Sequence, residues 1–119
     1  MRINKIQSIT HAKLLSATDG SDLDIESAFS SDMMSDVLAY ANRHMMLITG
    51  LSNPQTIRTA EMMDIGCILY VRGKCPNEAA LSLADTLGIT ILTTTLTMFE
   101  TCGRLYQEGI RGGVINHEP

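Results

Sequence analysis

Three uninterrupted apolar runs divide the chain, and segments whose apolar residues recur every three or four positions separate and follow them. The runs cover residues 45–48, 67–71 and 89–92. A strand whose two faces are both buried has a continuous apolar sequence of this kind. The alternation with amphipathic segments therefore predicts an α/β fold, a three-layer α/β/α sandwich with a mainly parallel central sheet.

The amphipathic segments carry recognisable helix signals. The first has a stripe with spacing i, i+3, i+4 and i+7, formed by Met34, Val37, Leu38 and Ala41. Asp32 stands where an N-cap belongs, and Asp36 adds negative charge near the positive end of this helix. The second helix is predicted to start at Asn53 and Pro54, and the third to end at Gly88.

The last predicted helix begins at a capping box formed by Thr97 and Glu100. Phe99, Cys102 and Tyr106 share one side of it. We interpret this side as the face that packs on the core. Cys102 is therefore predicted to be a core thiol rather than a nucleophile.

The first third of the chain is less regular. Isoleucines at every third position predict a short amphipathic helix over residues 3–9. Residues 12–16 and 25–29 are predicted to be short strands, and residues 18–22 have the composition of a turn.

Length, charge and cysteine content narrow the function. We expect the 119 residues to form a single domain, residues 1–119. A net charge of −4 argues against a nucleic-acid partner. Cys67, Cys75 and Cys102 lack metal-site spacing, which favours reduced thiols in a cytoplasmic protein and no metal or other cofactor. No run approaches the ~18 apolar residues of a membrane span, and no apolar signal core follows the N-terminus, so we expect no membrane partner.

Arg72, Gly73 and Lys74 form the most distinctive polar segment. They follow an apolar run and precede Pro76 and Asn77, which are predicted to start a helix. Ligands of α/β proteins commonly bind beyond the carboxyl ends of parallel strands. Backbone N–H groups, a helix N-terminus and two cations would suit a phosphate or carboxylate. The alternative is a solvated turn in which Gly73 supplies a positive φ angle.

Two other strand ends are predicted to meet this turn at the same edge of the sheet. Thr49 and Gly50 follow one apolar run, and Thr94 and Thr95 follow another. Threonine hydroxyls there would be available to a ligand, although strand propensity and capping also account for them.

Asp32, Ser35 and Asp36 place two carboxylates and a hydroxyl on one helical turn. That arrangement would suit a cation or a ribose, and helix capping is the favoured alternative. We include all three residues in the predicted ligand site.

No catalytic motif is present in the sequence, and we predict that the protein is not an enzyme. Gly66 and Gly73 are too far apart for a P-loop, and Cys75 stands where the motif needs Ser or Thr. Neither a nucleophile elbow nor an HExxH pattern occurs. Three isolated histidines are predicted to be surface or structural residues: His11, His44 and His117.

Five segments together resemble the DRTGG domain family. They are DMMSDVL at 32–38, LITG at 47–50, AEM at 60–62 with IG at 65–66, VRGKCP at 71–76 and TMFETCG at 97–103. The resemblance covers residues 3–109 and is greatest for stand-alone bacterial members related to the N-terminal domain of HPr kinase/phosphorylase. Val71, Arg72 and Gly73 stand in place of the family's Thr-Gly-Gly, so one of its glycines is kept.

The resemblance implies a three-layer α/β/α fold, a homodimer, and a regulatory or nucleotide-sensing role. Relatives lie between CBS domains in regulated pyrophosphatases, and HPr kinase performs its chemistry in a separate P-loop domain that this sequence lacks. Two functions remain open. One is a non-catalytic module that senses an anionic metabolite or nucleotide. The other is an accessory subunit that docks on a larger redox or regulatory enzyme and binds no small ligand.

Overall fold

The computed structural model describes residues 1–42 and 44–113, and His117 lies outside the described residues. The helices are α1 (Ile3–Thr10), α2 (Met34–Tyr40), α3 (Pro54–Met62), α4 (Glu78–Leu87) and α5 (Met98–Gln107). The strands are β1 (Lys13–Leu14), β2 (Ser27–Ser30), β3 (Met45–Thr49), β4 (Cys67–Tyr70) and β5 (Thr90–Thr93). The three apolar runs are therefore strands, as predicted, with bounds that differ by one residue.

The strands form one sheet in the order β1-β5-β4-β3-β2. Strands β2 to β5 are parallel, and the short β1 pairs with β5 in the antiparallel direction. This confirms the prediction of a mainly parallel sheet. Because the parallel strands run the same way, the loops after β2, β3, β4 and β5 all leave at one edge, which we call the carboxyl edge.

Helices cover both faces of the sheet, so the fold has the three predicted layers. On one face α2, α3 and α4 pack on side chains such as Leu47 and Ile68. On the other, α1 and α5 pack on side chains such as Ile48 and Leu69. Consecutive residues along each strand contribute to opposite cores, which explains why these strands are apolar throughout. Three helices thus cover one face and two cover the other.

The outer stripe of α5 corrects one prediction. Phe99 and Tyr106 are 84% and 61% exposed, and Cys102 is partly exposed. The side of α5 that faces the core carries Thr101 and Leu105 instead. A threonine can be buried here because its hydroxyl donates to the carbonyl of Thr97 at 2.8 Å. The first predicted stripe is also incomplete, since Leu38 is exposed whereas Met34, Val37 and Ala41 are buried.

All three cysteines, which lie among the described residues, are free. Burial raises the pKa of the Cys67 thiol to about 12. In the part of the chain that the structure describes, no helix has the length and apolar character needed to cross a membrane.

Candidate functional site

The carboxyl edge brings together four of the residues that the sequence predicts for a ligand site. Asp32 lies in the loop after β2, Thr49 ends β3 and is followed by Gly50, and Arg72 follows β4. The parallel register places Ser30 beside Ile48 and Thr49 beside Tyr70, so these three loops are neighbours. We refer to Asp32, Thr49, Gly50 and Arg72 as the edge cluster.

Asp32 is the centre of the edge cluster. Its Oδ1 accepts hydrogen bonds from the backbone N–H of Gly50 at 2.6 Å and from the Thr49 hydroxyl at 3.2 Å. Its Oδ2 lies 3.5 Å from Nη2 of Arg72. The prediction that Asp32 caps α2 is wrong, because Met33 occupies the N-cap position and makes no side-chain cap. The carboxylate instead ties the β2 loop to the end of β3.

Gly50 has a steric role in the edge cluster. A Cβ atom at this position would overlap the guanidinium group of Arg72. The absence of a side chain therefore lets the guanidinium lie directly over the backbone at the end of β3. Only glycine allows this approach without moving Arg72.

The turn after β4 has an unusual backbone. Arg72 and Gly73 both have positive φ angles, 58° and 70°. The value at Gly73 agrees with the predicted use of its glycine, whereas a left-handed residue with a side chain is uncommon. The turn is held by hydrogen bonds to the loop after β5, from the Arg72 N–H to the Leu96 carbonyl at 2.8 Å and from the Gly73 N–H to the Thr94 carbonyl at 2.9 Å.

These hydrogen bonds reduce the number of backbone N–H donors that the turn could offer to an anion. The Lys74 N–H also has an internal partner, the carbonyl of Val71 at 3.1 Å. All three backbone N–H groups of the turn are thus already used, and an anion would not gain them as donors. The attraction for an anion comes from the two side chains.

The two cations of the turn are in different states. Arg72 is paired with Asp32, and the two side chains are 43% and 45% exposed. An ion pair this open to water contributes about 0–1 kcal/mol to stability. Lys74 is exposed, and no ion pair or hydrogen bond of its ammonium group is found within residues 1–42 and 44–113.

The threonines after β5 divide into structural and exposed residues. Thr94 is buried, donates to the carbonyl of Thr10 at 2.6 Å and accepts from the N–H of Leu96 at 3.2 Å. Its hydroxyl is therefore engaged in holding α1 against the loop, which leaves little for a ligand. Thr95 is exposed between the two residues whose carbonyls hold the turn, and so lies beside Arg72 and Gly73.

Ser35 and Asp36 lie in the first turn of α2. Ser35 is exposed and Asp36 partly buried. Among the described residues, no hydrogen bond or ion pair joins either side chain to the edge cluster. Likewise, no group of three His, Cys, Asp or Glu residues within the described ranges could hold a metal ion.

Sequence reasoning missed Tyr70, the last residue of β4. Its side chain is fully buried under the three-helix face, and its hydroxyl has no hydrogen-bond partner in the described residues. Burial, and secondarily the charge of a Cys75 thiolate, raise the pKa of the Tyr70 phenol above its ordinary value. The only signal in the sequence was a hydroxyl-bearing residue at the end of an apolar run.

Comparison with known proteins finds similarity of fold, in a solved structure, but none to a family model or a curated sequence. The crystal structure of the CBS and DRTGG domains of the regulatory region of Clostridium perfringens pyrophosphatase, complexed with the activator diadenosine tetraphosphate, is similar with a TM-score of 0.73 and 14% identity. The similarity covers 98% of this chain and 51% of that one, so the chain spans about half of its length. At this identity the similarity shows a shared three-layer α/β/α fold.

Proposed function

We propose that this chain is a non-catalytic regulatory module that binds an anionic metabolite or nucleotide at the carboxyl edge. The observation that carries the proposal is the state of Arg72. Its guanidinium is half exposed, lies over Gly50 and is balanced by a single half-exposed carboxylate. The fold shared with a regulatory region that was crystallised with a nucleotide activator supports this choice of ligand class.

In this proposal a phosphate group replaces Asp32 as the partner of Arg72. Phosphate accepts two parallel hydrogen bonds from a guanidinium, which makes it a strong competitor for a carboxylate held 3.5 Å away. Lys74 would add a second positive charge from the same turn. Thr95, exposed beside the turn, is a further hydroxyl within this site.

The exchange would also supply a signal. Asp32 holds the end of β3 through Gly50 and Thr49, and it immediately precedes the N-cap of α2. Ligand that removes Arg72 from this carboxylate changes the forces on the β2–α2 loop. The size of the response is set by the difference in ligand affinity between the paired and unpaired states.

The proposal treats residues 1–119 as one module, acting as a homodimer and without kinase activity, as the resemblance to stand-alone DRTGG proteins implies. Transfer of phosphate from labelled ATP to a protein by the purified chain would contradict the non-catalytic part. The ligand part is tested separately.

A thermal-shift screen against inorganic phosphate, AMP, ADP, ATP and diadenosine tetraphosphate is the first test. A ligand at ~100 times its Kd should raise the free energy of unfolding by ~2.7 kcal/mol. Calorimetry then compares the wild type with an Arg72→Ala/Lys74→Ala variant. At ~1.5–3 kcal/mol per charged hydrogen bond, we expect the variant to bind at least tenfold more weakly.

Arg58→Ala is the matched control, because Arg58 is an exposed cation on α3 with its own partner, Glu61 at 3.2 Å. We expect it to bind the ligand as the wild type does. Equal loss in the control would indicate a general charge effect, and unchanged affinity in the double variant would place the site elsewhere.

The second function, an accessory subunit that docks on a larger enzyme, is favoured by a different observation, the exposed apolar stripe of α5. It requires no small ligand. A screen in which every compound leaves the melting temperature unchanged would favour it over the sensing module.

A further inference from the structure

The outer face of α5 is an exposed apolar surface. It carries Phe99, Cys102, Gly103 and Tyr106, which we call the α5 stripe. Phe99 is the most exposed large apolar side chain of the described residues. The ring of Tyr106 is supported by Arg111, whose guanidinium carbon lies 4.1 Å from the ring centroid. A groove of about 230 Å³ continues from the stripe and is bounded by Tyr106, Leu105 and Ile110 on one side and by Ala28 and Ile48 on the other.

The α5 stripe reads the same in both directions along the helix. It begins with an aromatic residue, Phe99, and ends with another, Tyr106. Two small residues stand in the middle, and two other residues separate them from the aromatic residue at each end. The two rings are two helical turns apart, ~10.5 Å at 1.5 Å per residue. The small pair, Cys102 and Gly103, lies midway between them. A Cβ atom added at Gly103 would have nothing within 4 Å.

Such a palindrome is complementary to itself when two helices cross in opposite directions. A two-fold axis through the midpoint of Cys102 and Gly103 would place Phe99 of each copy against Tyr106 of the other. Small residues at the crossing point let helix backbones approach closely, and offset aromatic pairs are favourable contacts.

The α5 stripe itself carries no charge. Glu100 and Arg104 lie outside it and pair with each other at 3.5 Å. Arg104 also donates from Nη1 to the carbonyl of Ile9 in α1 at 3.4 Å, so its side chain is engaged within its own chain. Like charges therefore do not oppose the pairing of two stripes.

We infer that the α5 stripe is the two-fold interface of a homodimer, with a second copy of this chain as its occupant. The inference deepens the homodimer of the proposed function and does not depend on its ligand. The carboxyl edge and the stripe use different residues, so ligand binding and association can fail independently.

Sedimentation and light scattering of Gly103→Leu provide the main test. A leucine here meets open space within one chain but blocks the approach of a second helix. Leucine is also the better helix former, so the melting temperature at low concentration should not fall. We expect the association constant to fall at least tenfold. Met62→Lys is the matched control, since Met62 is 71% exposed on α3 at the opposite face, and it should dimerise as the wild type does.

Cross-linking locates the interface. In a Cys75→Ser background, a short bis-maleimide should join Cys102 of one copy to Cys102 of the other, and a further Cys102→Ser change should abolish the product. A wild type that is monomeric at about 100 µM would overturn the inference. So would a dimer that Gly103→Leu leaves intact, or one without the Cys102 cross-link.

Discussion

The carboxyl edge and the α5 stripe present side chains to solvent in opposite ways. At the edge, Asp32 gives partners to Gly50, Thr49 and Arg72, so the polar groups are matched within the chain. On α5 the exposed groups are apolar, and no described residue covers Phe99. The contacts of the carboxyl edge stabilise the single folded chain. Burial of the α5 stripe would instead stabilise an association with a second molecule. Substitutions at the edge should therefore change the stability of one chain, and substitutions in the stripe should change association.

The largest expected effect comes from Asp32→Ala. The change leaves the N–H of Gly50 and the hydroxyl of Thr49 without their acceptor, and it removes the counter-charge of Arg72. Partly buried groups left unpaired cost ~1–3 kcal/mol. We expect urea denaturation to show a fall of that size in the free energy of unfolding.

Asp36→Ala is the control for this prediction, because it removes a carboxylate from the same segment that has no partner in the edge cluster. Its effect should stay within ~0.5 kcal/mol. Equal effects of the two substitutions would show that Asp32 acts through the charge of the α2 terminus rather than through its contacts.

The sequence predicted the frame of the carboxyl edge but not its contacts. Apolar runs identify strands buried on both faces, and parallel strands must end at one edge. The pairing of Asp32 with Arg72 depends on which strands are neighbours in the sheet. In the sequence the two residues are separated by α2, β3, α3 and β4, and they meet only because β2, β3 and β4 lie side by side. The use of the N–H groups of Arg72 and Gly73 depends on how the loop after β5 folds back, which no local pattern encodes.

The stripe on α5 was misjudged for a different reason. Helical spacing identifies residues that share one side of a helix, but it does not show which side faces the core. Phe99 and Tyr106 are large yet exposed, and Thr101 is polar yet buried because its hydroxyl bonds to Thr97. Among the described residues, only α1 and α5 cover this face of the sheet, so one side of α5 has no neighbouring helix. That follows from the arrangement of helices on the sheet, which local sequence patterns do not give.

A second prediction compares two glycines, one in each region. Gly73 and Gly103 both have open space where a Cβ would stand, but only Gly73 has a positive φ angle. Gly73→Ala should therefore lower the free energy of unfolding by ~1 kcal/mol, because a left-handed backbone disfavours a side chain. Gly103→Ala should raise it by ~0.5–1 kcal/mol, because glycine in a helix interior is unfavourable. Denaturation of both variants at equal, low protein concentration measures the difference, and effects of the same sign would contradict it.

The smallest effect on a single chain is expected for Phe99→Ser. Its ring is 84% exposed, so a monomer loses little buried area, and exposed positions usually change stability by no more than ~0.5 kcal/mol. The wild type should become more stable as its concentration rises, because association draws the folded state forward by mass action. The variant should lose this dependence on concentration. Melting curves of both proteins at about 1 µM and about 100 µM test the two expectations together. A large loss of stability at the lower concentration would mean that Phe99 packs on its own chain. The stripe would then stabilise the single folded chain, as the contacts of the carboxyl edge do.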